Sequence, residues 1–206
     1  VVRLVQVRYP GLVDHIAPIE SPQEMMAETV RAHRSTVLGL RRDEIGVIFL
    51  TPCAAKMTDL GLHTRRQASH LDGAIAISHI YGRVRAALAK HASAARSPEA
   101  PEPASPRAEP TSQNGVTGPS IAWALLGGQG GSLEIANSLA VGGIENVVRT
   151  LDDIENGKLH DVDLVECRSC REGCVDGCLT IENPYEARSK MVGLVRRCGT
   201  TIDPSR

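Results

Sequence analysis

Four cysteines fall within twelve residues: Cys167, Cys170, Cys174 and Cys178, spaced C-x2-C-x3-C-x3-C. Thiolates this close in sequence can converge on one metal centre. Gly173 and Gly177 each precede a cysteine, where a backbone without Cβ can turn tightly around an inorganic core. A 4Fe–4S cluster takes one thiolate per iron. A structural zinc usually takes its ligands as two separated pairs. One compact run favours iron–sulfur, with zinc and unpaired thiols as the alternatives. A fifth thiol, Cys53, sits in Thr51-Pro52-Cys53-Ala54-Ala55-Lys56. There it ends an apolar run, with a cation three residues on that could depress a thiol or face an anionic ligand. The plainer alternative is a structural cysteine beside a surface lysine. Cys198 shares a helical face with Met191, Leu194 and Val195 and reads as a structural thiol.

The elements that must position these groups follow from periodicity and punctuation. Val2, Val5 and Leu12 predict a short helix broken at Pro10. Ser21-Pro22-Gln23-Glu24 predicts a helix start with a capping box, Ser21 as cap and Pro22 at the first helical position. The run 45–50 reads as a buried strand, and 74–77 as a second strand leading into a helix near 79–90. Between 92 and 119 six prolines stand among Ala, Ser, Glu and Arg, which predicts a disordered or extended linker, most simply a tolerated loop expansion. After it, Gly127–Gly131 predicts a tight turn, with Ser132 capping a helix through about Leu139. The glycine run lacks the Lys-Ser/Thr of a phosphate-binding loop. Ile144, Val147, Val148, Leu151 and Ile154 lie at helical spacing over 143–156. A short strand at 163–166 delivers the cysteine run, and a helix over 186–197 ends at Gly199. Strands alternating with helices predict an α/β fold: two lobes with mainly parallel sheets flanked by helices, the cluster site in the cleft between them. The expected division is 1–91, a linker at 92–119, and 120–206 with the cysteine-rich loop.

Composition excludes several classes. The formal net charge of −1 is wrong for a nucleic-acid surface, and aromatics at 2% leave few stacking platforms for bases. No apolar run reaches the roughly 18–20 residues that span a bilayer. The even cysteine count permits disulfides, but their clustering and 42% hydrophobic residues predict a reduced, cytoplasmic protein that builds a core without staples. The seven histidines show no metal-ligand spacing.

Three segments together resemble one family. Thr51-Pro52-Cys53-Ala54-Ala55-Lys56 is similar to the second signature of the iron-only (FeFe) hydrogenase large-subunit domain, P-C-x-x-K. Glu166-Cys167-Arg168-Ser169-Cys170-Arg171-Glu172-Gly173-Cys174 resembles its third, E-x-x-x-C-x-x-G-C. Gly130-Gly131-Ser132-Leu133-Glu134 resembles its T-G-G-x-M-E turn. The opening Val2–Gln6 and Ser21-Pro22-Gln23 match the stretch after the first signature, whose own cysteine would fall about two residues before Val1. The chain thus reads as a fragment lacking one upstream ligand. The resemblance implies an H-cluster: a 4Fe–4S cubane bridged by a cysteine to a diiron unit carrying CO, cyanide and a dithiolate. Cys53 and Cys170 would be cubane ligands and Cys174 the bridging thiolate. Lys56 would donate to a cyanide, and Ser21 and Gln23 would lie near the diiron unit. Cys167 and Cys178 are additions to the usual pattern, as possible further metal ligands.

Three positions depart from the family. Thr51 and Arg168 stand where methionines usually pack around the diiron unit, and Ala17 where catalytic members carry a serine of the proton path. Turnover needs a relay of protonatable groups. The expected function is therefore redox or hydrogen sensing, or electron transfer, with an H-cluster or its cubane, possible hydrogenase activity being left open. The alternative is a non-catalytic iron–sulfur protein, an assembly-type adaptor or a simple 4Fe–4S electron carrier. Expected partners are an upstream ferredoxin-like iron–sulfur domain or a separate carrier, and a downstream signalling module, with no nucleic acid and no membrane.

Overall fold

Residues 1–60, 69–94 and 117–198 are described by a computed structural model. In chain order the elements are α1 (Val2–Arg8), α2 (Pro22–Leu38), β1 (Ile48–Thr51), α3 (Ala54–Leu60), β2 (Gly73–Ala76), α4 (Ile77–Ala94), α5 (Gly118–Ala122), α6 (Gly128–Ser132), β3 (Ser138–Gly142), α7 (Ile144–Glu155), β4 (Leu164–Arg168) and α8 (Pro184–Arg197). Short 3-10 turns cover Pro10–His15, Arg42–Glu44 and Cys174–Asp176. The architecture is α/β: β1 pairs with β2, and β3 with β4, each pair parallel. Among the described residues no helix is long and apolar enough to cross a membrane.

The chain divides into two compact units. The first comprises the described residues of Val1–Ile16, Lys90–Gly177 and Glu182–Arg206; the second comprises those of Ala17–Ala89 and Cys178–Ile181. The division does not follow the proline-rich stretch alone, because Val1–Ile16 packs with residues far beyond it. The reason is the apolar face of α1. Val5 and Tyr9, with Leu12 of the following turn, share one buried cluster with Val141 of β3 and Val147 and Leu151 of α7. Val147 is fully buried, which contributes roughly 1.5–3 kcal/mol relative to exposure. Tyr9 is 1% exposed. Its hydroxyl donates to Asp152 Oδ1 at 2.6 Å, so the burial leaves no polar atom without a partner.

The second unit is held differently. Its buried residues among those described are Ala27 of α2, Ala76 of β2, and the polar Glu24 and Thr51. Two side chains two turns apart on α2 clasp the segment before β2. Glu24 accepts from Ser69 Oγ at 2.8 Å and His70 N at 2.7 Å. Arg31 donates to His70 O at 2.9 Å, Asp72 Oδ2 at 2.6 Å and Arg42 O at 3.0 Å, and also to Ile45 O. Asp72 completes the clasp by accepting from Val47 N at 2.6 Å. The Val47 amide and the Arg31 guanidinium hold its carboxyl below the usual range.

Some expected elements moved. The helix from Ser132 to Leu139 is not there: α6 ends at Ser132, and 138–142 is strand β3. Ser132 points backward instead, donating to Gly128 O at 2.7 Å and accepting from Trp123 Nε1 at 2.6 Å. Ser138–Gly142 then takes its backbone partners from β4, from Ser138 opposite Leu164 to Gly142 opposite Arg168. Ser21 precedes α2, and Pro22 begins it as expected, but the Ser21 side chain makes no capping bond. Glu24 could not close the box because its carboxylate is spent on Ser69 and His70. The first strand runs Ile48–Thr51, three residues later than expected at its start. Of the linker 92–119, residues 92–94 are helical and α5 begins at Gly118; 95–116 lie outside the described residues, as does the Gly199 stop signal.

Candidate functional site

In the first unit, β4 carries the cysteine run out of the sheet. Cys167 lies within the strand, opposite Val141, and packs against the apolar cluster. Burial pushes its thiol up, so the neutral form is favoured. Cys170 and Cys174 follow in the loop, both half-buried. Cys178, exposed, belongs to the second unit. The cysteine run is therefore not one environment: it holds a core thiol, two loop thiols and an exposed one.

Two glycines shape this loop. A Cβ on Gly142 would stand 2.2 Å from Arg171 O, so the end of β3 can lie against the loop only without a side chain. Gly173 has φ +83°, and a Cβ there would meet Ala124 O at 2.7 Å. That close approach permits a bridge between Leu125 and Gly173 and the bond from Cys174 N to Ala124 O at 2.8 Å. Cys170 lines a cleft of about 510 Å³ with Ser169, Arg171 and Asp176, beside Gly143 and the first residues of α7.

One buried carboxylate organises the rest. Glu166 accepts from Gly130 N at 2.7 Å and Gly127 N at 3.3 Å, tying β4 to the glycine turn. It also pairs with Arg168 Nε at 2.9 Å, the two side chains being 7% and 14% exposed. Arg168 extends the network with its other nitrogens: Nη2 donates to Trp123 O at 3.0 Å and Nη1 to Cys174 Sγ at 3.2 Å. A permanently charged donor thus faces the sulfur of Cys174. The sequence drew attention to Arg168 only as a departure from methionine, and to Glu166 only as the first residue of the third signature, with no contact assigned to it. The readable signal was an acid inside an apolar strand, Leu164-Val165-Glu166, which has to find donors if it is buried.

In the second unit, Thr51 ends β1 fully buried, and its Oγ1 accepts from Cys53 N at 3.1 Å. Threonine in place of a methionine therefore fixes the backbone at Cys53. Lys56, on α3, donates to Gln23 Oε1 at 2.7 Å and lies 5.6 Å from the centre of the Phe49 ring. Lys56 and Gln23, both expected at the site, are together; Ser21 stands just before them at the start of α2.

The donor chemistry of these residues suits a thiolate-bound iron–sulfur group. Cys170 and Cys174 offer soft donors in one loop and Cys53 offers another beyond the end of β1, each set with a cation nearby. Among the described residues no three of His, Cys, Asp and Glu come together as a metal site. A search of curated proteins found no significant match. The sequence model for the C-terminal domain of the iron-only hydrogenase large subunit matches residues 1–131. The match includes Cys53, Lys56 and the glycine turn, while the cysteine run lies beyond it. Covering more than half of the chain, it shows that this protein belongs to the family of C-terminal domains of iron-only hydrogenase large subunits.

Proposed function

We propose that this domain holds a 4Fe–4S cubane, with or without the diiron unit of an H-cluster, and serves redox or hydrogen sensing rather than bulk turnover. The observation that carries this reading is the fixed Arg168 donor at 3.2 Å from Cys174 Sγ, which suits a sulfur bearing negative charge. Cys170 and Cys174 of the first unit and Cys53 of the second act as the cubane's thiolate ligands. When bound, such a group supplies one-electron transfer, and with its diiron unit heterolytic hydrogen binding.

The roles of the chain's own residues follow from their contacts. Glu166 holds the glycine turn and aims Arg168. Thr51 fixes the Cys53 backbone. Lys56 offers an ammonium that Gln23 and Phe49 orient for an anionic ligand. Cys167 is a packing thiol, and Cys178 is dispensable for ligation. Ala17 offers no proton at the position of the relay serine, which favours a detector over a fast catalyst. An upstream ferredoxin-like domain or separate carrier delivers electrons, a downstream module reads the state, and the setting is cytoplasmic. A plain-cubane adaptor or electron carrier is the second reading, favoured by the guanidinium at the position of a diiron-packing methionine.

Infrared spectroscopy of anaerobically matured protein separates them. CO and cyanide stretching bands are expected if the diiron unit is bound; iron without those bands removes the diiron unit, and hydrogen sensing with it, and leaves the plain cubane. Cys53→Ser should lower iron content, and Cys167→Ser and Cys178→Ser should not. Unchanged iron in Cys53→Ser would remove it from the ligand set.

A further inference from the structure

Arg168 engages Glu166, Trp123 O and Cys174 Sγ through three different nitrogens of one planar group. That geometry leaves the guanidinium little freedom, and its partner Glu166 is itself fixed by the amides of Gly127 and Gly130. The donor at the sulfur is therefore built into the fold of the first unit. We propose that Arg168 is a tuning residue: its hydrogen bond to Cys174 Sγ raises the reduction potential of the cluster that Cys174 ligates. The inference rests on the reading of Cys174 as a ligand.

The physical argument is differential stabilisation. Reduction adds one electron, drawn from an external reductant, and spreads negative charge onto the ligating sulfurs; no bond forms or breaks. A donor aimed at a sulfur stabilises the more negative state more than the oxidised one. The pair with Glu166 cancels the net charge, so the short-range hydrogen bond, rather than a distant field, carries the effect. Lysine would place a charge nearby but could not keep all three contacts at once.

The test is an EPR-monitored redox titration of wild type, Arg168→Met, Arg168→Gln and Arg168→Lys, each reconstituted anaerobically with iron and sulfide. At the wild-type midpoint, Arg168→Met should show a reduced-to-oxidised ratio about tenfold lower, a shift of about 59 mV for a one-electron couple. Arg168→Lys should fall between the two. A loaded Arg168→Met with the wild-type midpoint overturns the inference and leaves the ligand assignment standing. A wild type that takes up no cluster overturns the ligand assignment beneath it. If Arg168→Met does not load, the same comparison is made with Arg168→Gln and Arg168→Lys, where unmoved midpoints overturn the inference. Failure of all three variants to load also overturns it, because Arg168 would then be a scaffold residue.

Discussion

The two units solve the same problem by opposite means. Each presents a cysteine near the end of a strand in a two-stranded parallel sheet, and each sets a cation in an oriented position. The first unit does so on an apolar base: Val5, Tyr9, Leu12, Val141, Val147 and Leu151 pack together beneath the sheet. Among the described residues the second has only small or polar ones buried, and large side chains such as Met26, Leu50 and Leu88 stay exposed. Its order comes from the Glu24 and Arg31 clasps. Hydrophobic packing is non-directional and tolerant, whereas a clasp of charged hydrogen bonds fails when one partner goes.

The contrast can be broken at one point in each unit. The largest effect is expected from Glu166→Ala. It leaves Arg168, only partly exposed, beside an empty position and frees two amides, a class of change that costs up to about 3–5 kcal/mol. Urea unfolding should show that loss, and hydrogen exchange should rise at 127–130 and 166–168 while the α2 clasp stays protected. Arg31→Ala should cost about 2 kcal/mol, as expected for losing charge-assisted bonds. Its exchange signature should lie at 42–47 and 70–72, with 127–130 unchanged. If either variant loosens both units equally, the distinction between them fails.

The smallest effect is a pH dependence confined to the second unit. The Asp72 carboxyl is held below its ordinary value, so the folded state binds its proton more weakly than the unfolded chain does. The stabilisation is complete above the unfolded value of about 3.9 and is lost as pH falls through the folded one. Asp72 is half exposed, which screens the effect. Acid titration of stability should nonetheless be shallower in Asp72→Asn than in wild type, and identical slopes would remove Asp72 from the clasp.

The same contrast explains what could be read from the sequence. Helices α7 and α8 were legible because their apolar spacing is local. So was the exit of the cysteine run from a strand. The β3 strand was not, because its partners lie on β4 some 26 residues away, and Ser132 offered a plausible local cap. The Glu24 capping box failed for the same reason, a long-range partner outbidding a local one. The different environments of Cys167 and Cys170 were hidden as well: equal letters in one motif face an apolar cluster in one case and a cleft in the other.

Glu166 has one more consequence, for how far damage at one point spreads. The glycine turn, β4 and the guanidinium converge on its carboxylate. The turn, the strand end and the Arg168 contact to Cys174 therefore share one joint, and neutralising that single carboxylate would loosen all three together.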